Sequence, residues 1–187
     1  MTASKPLIIL KETILAGESK TINMEIAKLH TMNKLKIPII VERSKLDGPT
    51  VLFTACLHGD EINGTEIVRQ LIVQKINKPK RGTIICIPII NIFGFINKTR
   101  EFPDGRDLNR VFPGSKTGSL ASRFAYYVLK EIMPHVDEMF ELFNTSYAKL
   151  QSFVAVSPEQ IEYIKKKNIS FINPEYIQFV FDENKKM

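Results

Sequence analysis

A histidine and a glutamate three residues apart, His58 and Glu61, stand in His58-Gly59-Asp60-Glu61, directly after the apolar run Pro49–Leu57. An imidazole nitrogen and a carboxylate oxygen presented from one glycine-containing turn suit a single divalent metal. Zinc accepts both ligand types, and a catalytic zinc site uses three protein ligands and an open position. The bland alternative is a histidine whose hydrogen bonds are satisfied inside the fold. Asp60, between the two, is expected to point away and to stabilise the turn or the start of the following helix.

A second group lies about fifty residues on. Asp107-Leu108-Asn109-Arg110 follows Phe102-Pro103-Asp104-Gly105-Arg106, and Arg100, Arg106 and Arg110 share the segment. An arginine fork grips a carboxylate through two hydrogen bonds, and asparagine adds directional donors. Surface salt bridges are the alternative.

The elements that must position these groups follow from periodicity. Leu7–Leu10, Lys20–Ala27 and Leu35–Glu42 read as strands in a β-rich N-terminal section over residues 1–48, part of the same domain. From Pro49 the pattern becomes strand, helix, strand. Val51–Leu57 is an apolar strand, and Asn63–Ile76 carries apolar residues at helical spacing. Thr83–Ile90 is a nearly all-apolar strand of the kind buried on both faces of a parallel sheet. A right-handed crossover sets the two strands side by side, or nearly so. Residues 91–118 read as a long loop, Ser119–Met133 as a helix and Val136–Leu142 as a strand. Pro158–Asn168 has the pattern of a charged helix and Ile177–Phe181 that of a late strand. The expected fold is α/β, a mostly parallel or mixed sheet flanked by helices. Residues 49–142 are expected to form the α/β core of the domain, and 143–187 are an unassigned tail.

Composition narrows the class. The 187 residues are 44% apolar, enough for one well-buried domain, and carry a net charge of +6. Both charge signs are mixed, with no basic stripe interleaved with aromatics, so nucleic acid is not the expected partner. Cys56 and Cys86 sit in apolar strands, as buried reduced thiols would. That usage, the lack of an apolar signal-like core near Met1, and the absence of a membrane-length apolar run predict a cytoplasmic protein without a membrane partner.

Thr54–Gly64 and Phe102–Gly114, in this order and separated by a strand-helix-strand unit, resemble two motifs of the succinylglutamate desuccinylase/aspartoacylase family, relatives of the zinc carboxypeptidases. The resemblance covers roughly residues 10–142. It implies that His58 and Glu61 are zinc ligands, that Asn109 and Arg110 bind the substrate carboxylate, and that Arg100 helps polarise the scissile carbonyl. It also implies one zinc ion as cofactor and a small carboxylate-bearing N-acyl substrate. The implied chemistry is amide hydrolysis: zinc activates water and polarises the carbonyl, and a later glutamate serves as general base.

The chain departs from the pattern beyond that point. Where the family carries Asp-Leu-His-Thr, with the third zinc ligand, this chain has Glu141-Leu142-Phe143-Asn144, and Phe143 cannot coordinate metal. His30 lies in the β-rich section. His135 lies near a helix end, where it meets the last carbonyls or, less conventionally, supplies a ligand. Glu141 is a substitute ligand or a paired buried carboxylate. Among Glu159, Glu162, Glu175 and Glu183 no motif singles out the catalytic base. The similarity is therefore expected to end near residue 142, with a truncated or degenerate second half or a natural short form. An uncovered sheet edge would then favour self-association. Three readings follow: a zinc-dependent deacylase, an inactive remnant that keeps the fold and the anion-binding loop, and a binding module without chemistry.

Overall fold

Ser19–Lys28 (β3) and Lys34–Arg43 (β4) form a long antiparallel hairpin. Their alternation is expressed directly: Ile22, Met24, Ile37, Ile39 and Val41 are buried, and the residues between them are not. Pro38 is tolerated because β4 pairs with its other neighbour only from Ile40 onward, so no ladder donor is lost there. Ahead of this hairpin, Leu7–Ile9 (β1) and Glu12–Ile14 (β2) form a small two-stranded sheet. The computed structural model describes residues 6–28, 32 and 34–142. The predicted elements Pro158–Asn168 and Ile177–Phe181, together with His30, Phe143 and the tail glutamates, lie outside the described residues.

Thr50–Ala55 (β5), Thr83–Ile87 (β6) and Glu138–Leu142 (β7) complete the main sheet with Asn63–Val73 (α1) and Leu120–Glu131 (α3) packed on it. The described sheet has five strands in the order β3-β4-β6-β5-β7. β5 runs parallel to β6 and β7, and β4 meets β6 antiparallel. The sheet is therefore mixed, and the N-terminal hairpin is continuous with the parallel strands. Both faces are covered, which is why β5 and β6 read as apolar runs. Leu52, Ile85 and Ile87 pack with Phe124 and Val128 of α3, whereas Ala55 and Cys86 pack with Val68 of α1. No helix of the described residues is long and apolar enough to cross a membrane.

Several element ends fall short of the apolar pattern, each for a local backbone reason. β5 stops at Ala55 because Cys56 takes φ 60° and turns the chain. β6 stops at Ile87, before Pro88. α1 stops at Val73, and Lys75 follows in a left-handed conformation. The expected long loop over 91–118 instead contains a short helix, Ile92–Asn97 (α2), and a 3-10 turn, Leu108–Arg110. Asn91 caps α2 by accepting from Gly94 N, and Lys98 ends it at φ 53°. A six-residue helix is too short to display a period, so only its cap was available to be read.

Candidate active site

β5 delivers His58 to the C-terminal edge of the parallel strands, where α/β sheets place their sites. Gly59 brings the loop against α2: a Cβ there would lie 1.8 Å from Gly94 C and 2.2 Å from Phe95 N. Ile90 N and Asn91 N donate to the carbonyls of Ala55 and Cys56, tying the end of β5 to the start of α2. Asp60 is exposed, and α1 begins without a side-chain cap, so Asp60 does not stabilise the helix start as expected.

The buried His58 ring lies between two carboxylates. Nδ1 is 3.0 Å from Glu61 Oε1, and Nε2 is 3.2 Å from Asp107 Oδ1. A neutral imidazole carries one N–H and cannot donate to both. The second contact needs another proton or a metal ion between the acceptors. Asp107 is fixed in place as an acceptor by Arg100 and the Asn109 N–H. Burial pushes its carboxyl up, but Arg100, the positive charge of a protonated His58 and the Asn109 N–H outweigh this and hold it below its ordinary value. With Nε2–H directed at Asp107, Nδ1 offers its lone pair on the Glu61 side, the arrangement in which a carboxylate orients a ligating histidine. Glu61 Oε2 is buried and lacks a hydrogen-bond partner. An orphaned carboxylate oxygen beside an imidazole lone pair fits two coordination positions of a zinc ion. Among the described residues no cluster of three His, Cys, Asp or Glu side chains is arranged to hold a metal.

The arginine-rich segment reaches the same place. Arg100 Nε and Nη2 donate to Asp107 Oδ2 at 3.1 and 2.9 Å, and its Nη1 is 3.8 Å from Glu61 Oε1. Asp107 also accepts from Asn109 N at 3.0 Å, capping the 3-10 turn that carries Asn109 and Arg110. The Arg110 side chain is 83% exposed, with Nε 3.7 Å from Asp107 Oδ2. Arg106 lies apart from this group, 4.0 Å from Asp104. The structure thus gathers His58, Glu61, Arg100, Asn109 and Arg110 around Asp107, a residue to which the sequence reading gave no role. Its position two residues before Asn109, where an Asx side chain caps a turn, was the available signal.

His135 belongs to the opposite edge. It ends a 3-10 turn, Met133–His135, ahead of β7, whose first residue pairs with Val51 at the start of β5. The parallel register leaves the length of the strands between it and His58, so it is not a ligand to the same ion; it lies just past the end of α3, its backbone N–H donating to Ile132 O at 3.0 Å.

Glu141 is the buried, paired carboxylate of the two roles considered. It is 2% exposed, is hydrogen-bonded to Thr54 Oγ1, and accepts from Leu57 N at 3.2 Å. Burial is the main reason its pKa rises to about 8, the Thr54 and Leu57 hydrogen bonds opposing the shift and the charge of Glu61 adding to it. The folded chain therefore holds this proton more tightly than the unfolded chain. Stability is expected to fall as pH rises from 4.5, the group's ordinary value, to about 8, and to stay lowered above that. The slope is at most about 1.4 kcal/mol per pH unit. Glu141→Gln, which mimics the neutral acid, should flatten that part of the curve; melting temperatures of both proteins across this range measure it, and parallel curves would contradict the assignment.

Residues 47–185 match the family model described as the succinylglutamate desuccinylase/aspartoacylase catalytic domain. The chain belongs to this family. The match runs past Leu142, which overturns the expectation that similarity ends near residue 142. N-alpha-acetyl-L-2,4-diaminobutyric acid deacetylase of Halomonas elongata is 33% identical over 107 residues, 57% of this chain and 31% of that protein. An aspartoacylase family protein from Mesorhizobium loti superposes with a TM-score of 0.61 at 30% identity, covering 76% of this chain and 44% of that one. The product-bound ectoine utilization protein EutE (DoeB) from Ruegeria pomeroyi gives a TM-score of 0.58 at 26% identity, covering 73% and 42%. The chain spans less than half the length of each of these relatives.

Proposed function

We propose that this chain carries the metal-binding and carboxylate-binding part of a zinc-dependent deacylase for a small N-acyl amino acid. The observation that carries the reading is the His58 ring set between Asp107 and Glu61, with Glu61 Oε2 orphaned beside it. His58 Nδ1 and Glu61 would hold the zinc, and Asp107 would keep the Nε2 proton in place. Bound zinc would supply an activated water and a polarised acyl carbonyl. Arg100, fixed by Asp107 and 3.8 Å from Glu61, would donate to the carbonyl oxygen. Asn109 and the exposed Arg110 would take the substrate carboxylate, setting the acyl nitrogen at a fixed distance from the metal ligands. The Halomonas relative is named for deacetylating N-alpha-acetyl-L-2,4-diaminobutyric acid, which supports N-acyl amino acids with a free α-carboxylate as the substrate class.

The test is zinc content of the purified chain together with hydrolysis of N-acetyl-diaminobutyrate, N-acetyl-aspartate and N-succinyl-glutamate. About one tightly held zinc per chain and turnover of any of these supports the reading. Arg110→Ala should then raise KM roughly 10- to 100-fold, the loss of one charge-assisted partner, with zinc content unchanged. An unaltered KM would remove Arg110 from the substrate site. Phe143, at the position aligned with the third zinc ligand, favours a second reading: an inactive remnant that keeps the fold and the anion-binding loop. Weak zinc binding without turnover would select it.

A further inference from the structure

Asn91 joins the two halves of the candidate site and has no part in the reading above. Its side chain is fully buried. Oδ1 accepts from Gly94 N at 2.9 Å, capping α2. Nδ2 is directed at two carbonyls of the arginine segment, Arg100 O at 3.3 Å and Glu101 O at 3.4 Å. Its backbone N–H donates to Cys56 O at 3.0 Å, in the turn that delivers His58. One residue thus ties the loop of His58 and Glu61 to the loop of Arg100. There is little slack, since a Cβ on Gly94 would lie 2.7 Å from Asn91 Nδ2 and 2.6 Å from Thr99 O.

We propose that the Asn91 side-chain amide is a positioning residue that sets Arg100 against the His58–Glu61 pair. The inference rests on the deacylase reading for its kinetic consequence, not for its structural one. The cap on α2 needs only an acceptor, which aspartate and serine also supply. The two contacts to Arg100 O and Glu101 O need donors. An aspartate offers none and sets a carboxylate against two carbonyls; a serine hydroxyl is too short to span both. With those donors gone the Arg100 backbone loses its tether to the buried floor of the site, and only the guanidinium contacts to Asp107 and, at 3.8 Å, to Glu61 still hold the residue.

Asn91→Asp and Asn91→Ser are compared with wild type in the zinc-loaded full chain, the uncharged variant guarding against misfolding caused by a buried charge. Misplacement of about 1 Å costs on the order of 100-fold in rate, so kcat on an N-acetyl amino acid should fall about 10- to 100-fold. KM and zinc affinity should change little, because Asn109, Arg110, His58 and Glu61 are not tethered by this amide. In an Arg100→Ala background the Asn91 variants should cost nothing further, since the effect passes through Arg100. Additive losses, or a fall in zinc affinity of the same size, would overturn the proposal in favour of a general structural role. Phenylglyoxal labelling of Arg100, read by peptide mass spectrometry against Arg123 as internal reference, decides the structural claim without turnover. Labelling should be several-fold faster in both variants, and an unchanged rate overturns the proposal. If wild type hydrolyses no N-acyl amino acid, the deacylase reading fails while the labelling result still decides the role of Asn91.

Discussion

Replacing His58 with alanine is expected to abolish tight zinc binding and, with it, hydrolysis. Even the residues behind a metal ligand are worth 10- to 100-fold in affinity, so losing the ligand itself should cost more than about 100-fold. The fold should survive. The two carboxylates left facing the cavity keep Arg100, which lies 2.9 Å from Asp107 and 3.8 Å from Glu61, as a counter-ion. The result therefore separates chemistry from folding: zinc affinity by competition with a chromophoric chelator falls, while the melting temperature of the metal-free chain changes little. Zinc affinity equal to wild type would remove His58 from the metal site and leave its ring as a satisfied structural group between Glu61 and Asp107.

Gly59→Ala is expected to be far more damaging to the fold than its one added methyl group suggests. The new Cβ would meet backbone atoms of Gly94 and Phe95 at 1.8 and 2.2 Å, with no flexible side chain to yield. Either α2 or the His58 loop must move, and overpacking of this kind costs about 1–3 kcal/mol or more. For a chain of this size that is roughly 2–4 °C of melting temperature per kcal/mol. The displaced loop carries His58 and Glu61, so zinc affinity should fall as well. Gly105→Ala is the control. Gly105 has φ +73° but nothing within 4 Å of its missing Cβ, so only the left-handed backbone cost of about 1–2 kcal/mol applies, away from the metal pair. A Gly59 variant that melts with wild type and binds zinc normally would contradict the close approach of α2.

The strand and helix patterns carried most of the architecture. Period-two apolarity located the β3–β4 hairpin, and the apolar runs Val51–Leu57 and Thr83–Ile90 located the buried parallel pair. Their ends were misjudged where a single residue turned the backbone, as at Cys56 and Pro88, because hydrophobicity continues past the last ladder hydrogen bond. The expectation that family similarity stops near residue 142 failed for a different reason. Motifs with fixed chemistry are legible one by one, and none stands beyond residue 142, whereas the family model matches as far as residue 185.

For the site, the sequence by itself determined which chemical groups were present. His58, Glu61, Arg100, Asn109 and Arg110 stood out as candidates because metal ligands and carboxylate-binding forks need particular functional groups at short spacing in turns. Tertiary structure decided the partners. Asp107 faces His58 across forty-nine residues of chain, Glu141 meets Leu57 and Thr54 across more than eighty, and Asn91 links two loops. His135 was the weaker ligand candidate by its place near a helix end, and the parallel register of β5 and β7 puts it at the other end of the sheet from His58. Gly59 looked like a turn residue, and the structure shows that its missing Cβ is required by the backbone of α2. A local pattern reports what a residue can do; which acceptor faces which donor depends on how strands pair and loops cross. That is set by burial of the whole sheet, which no short window of sequence contains.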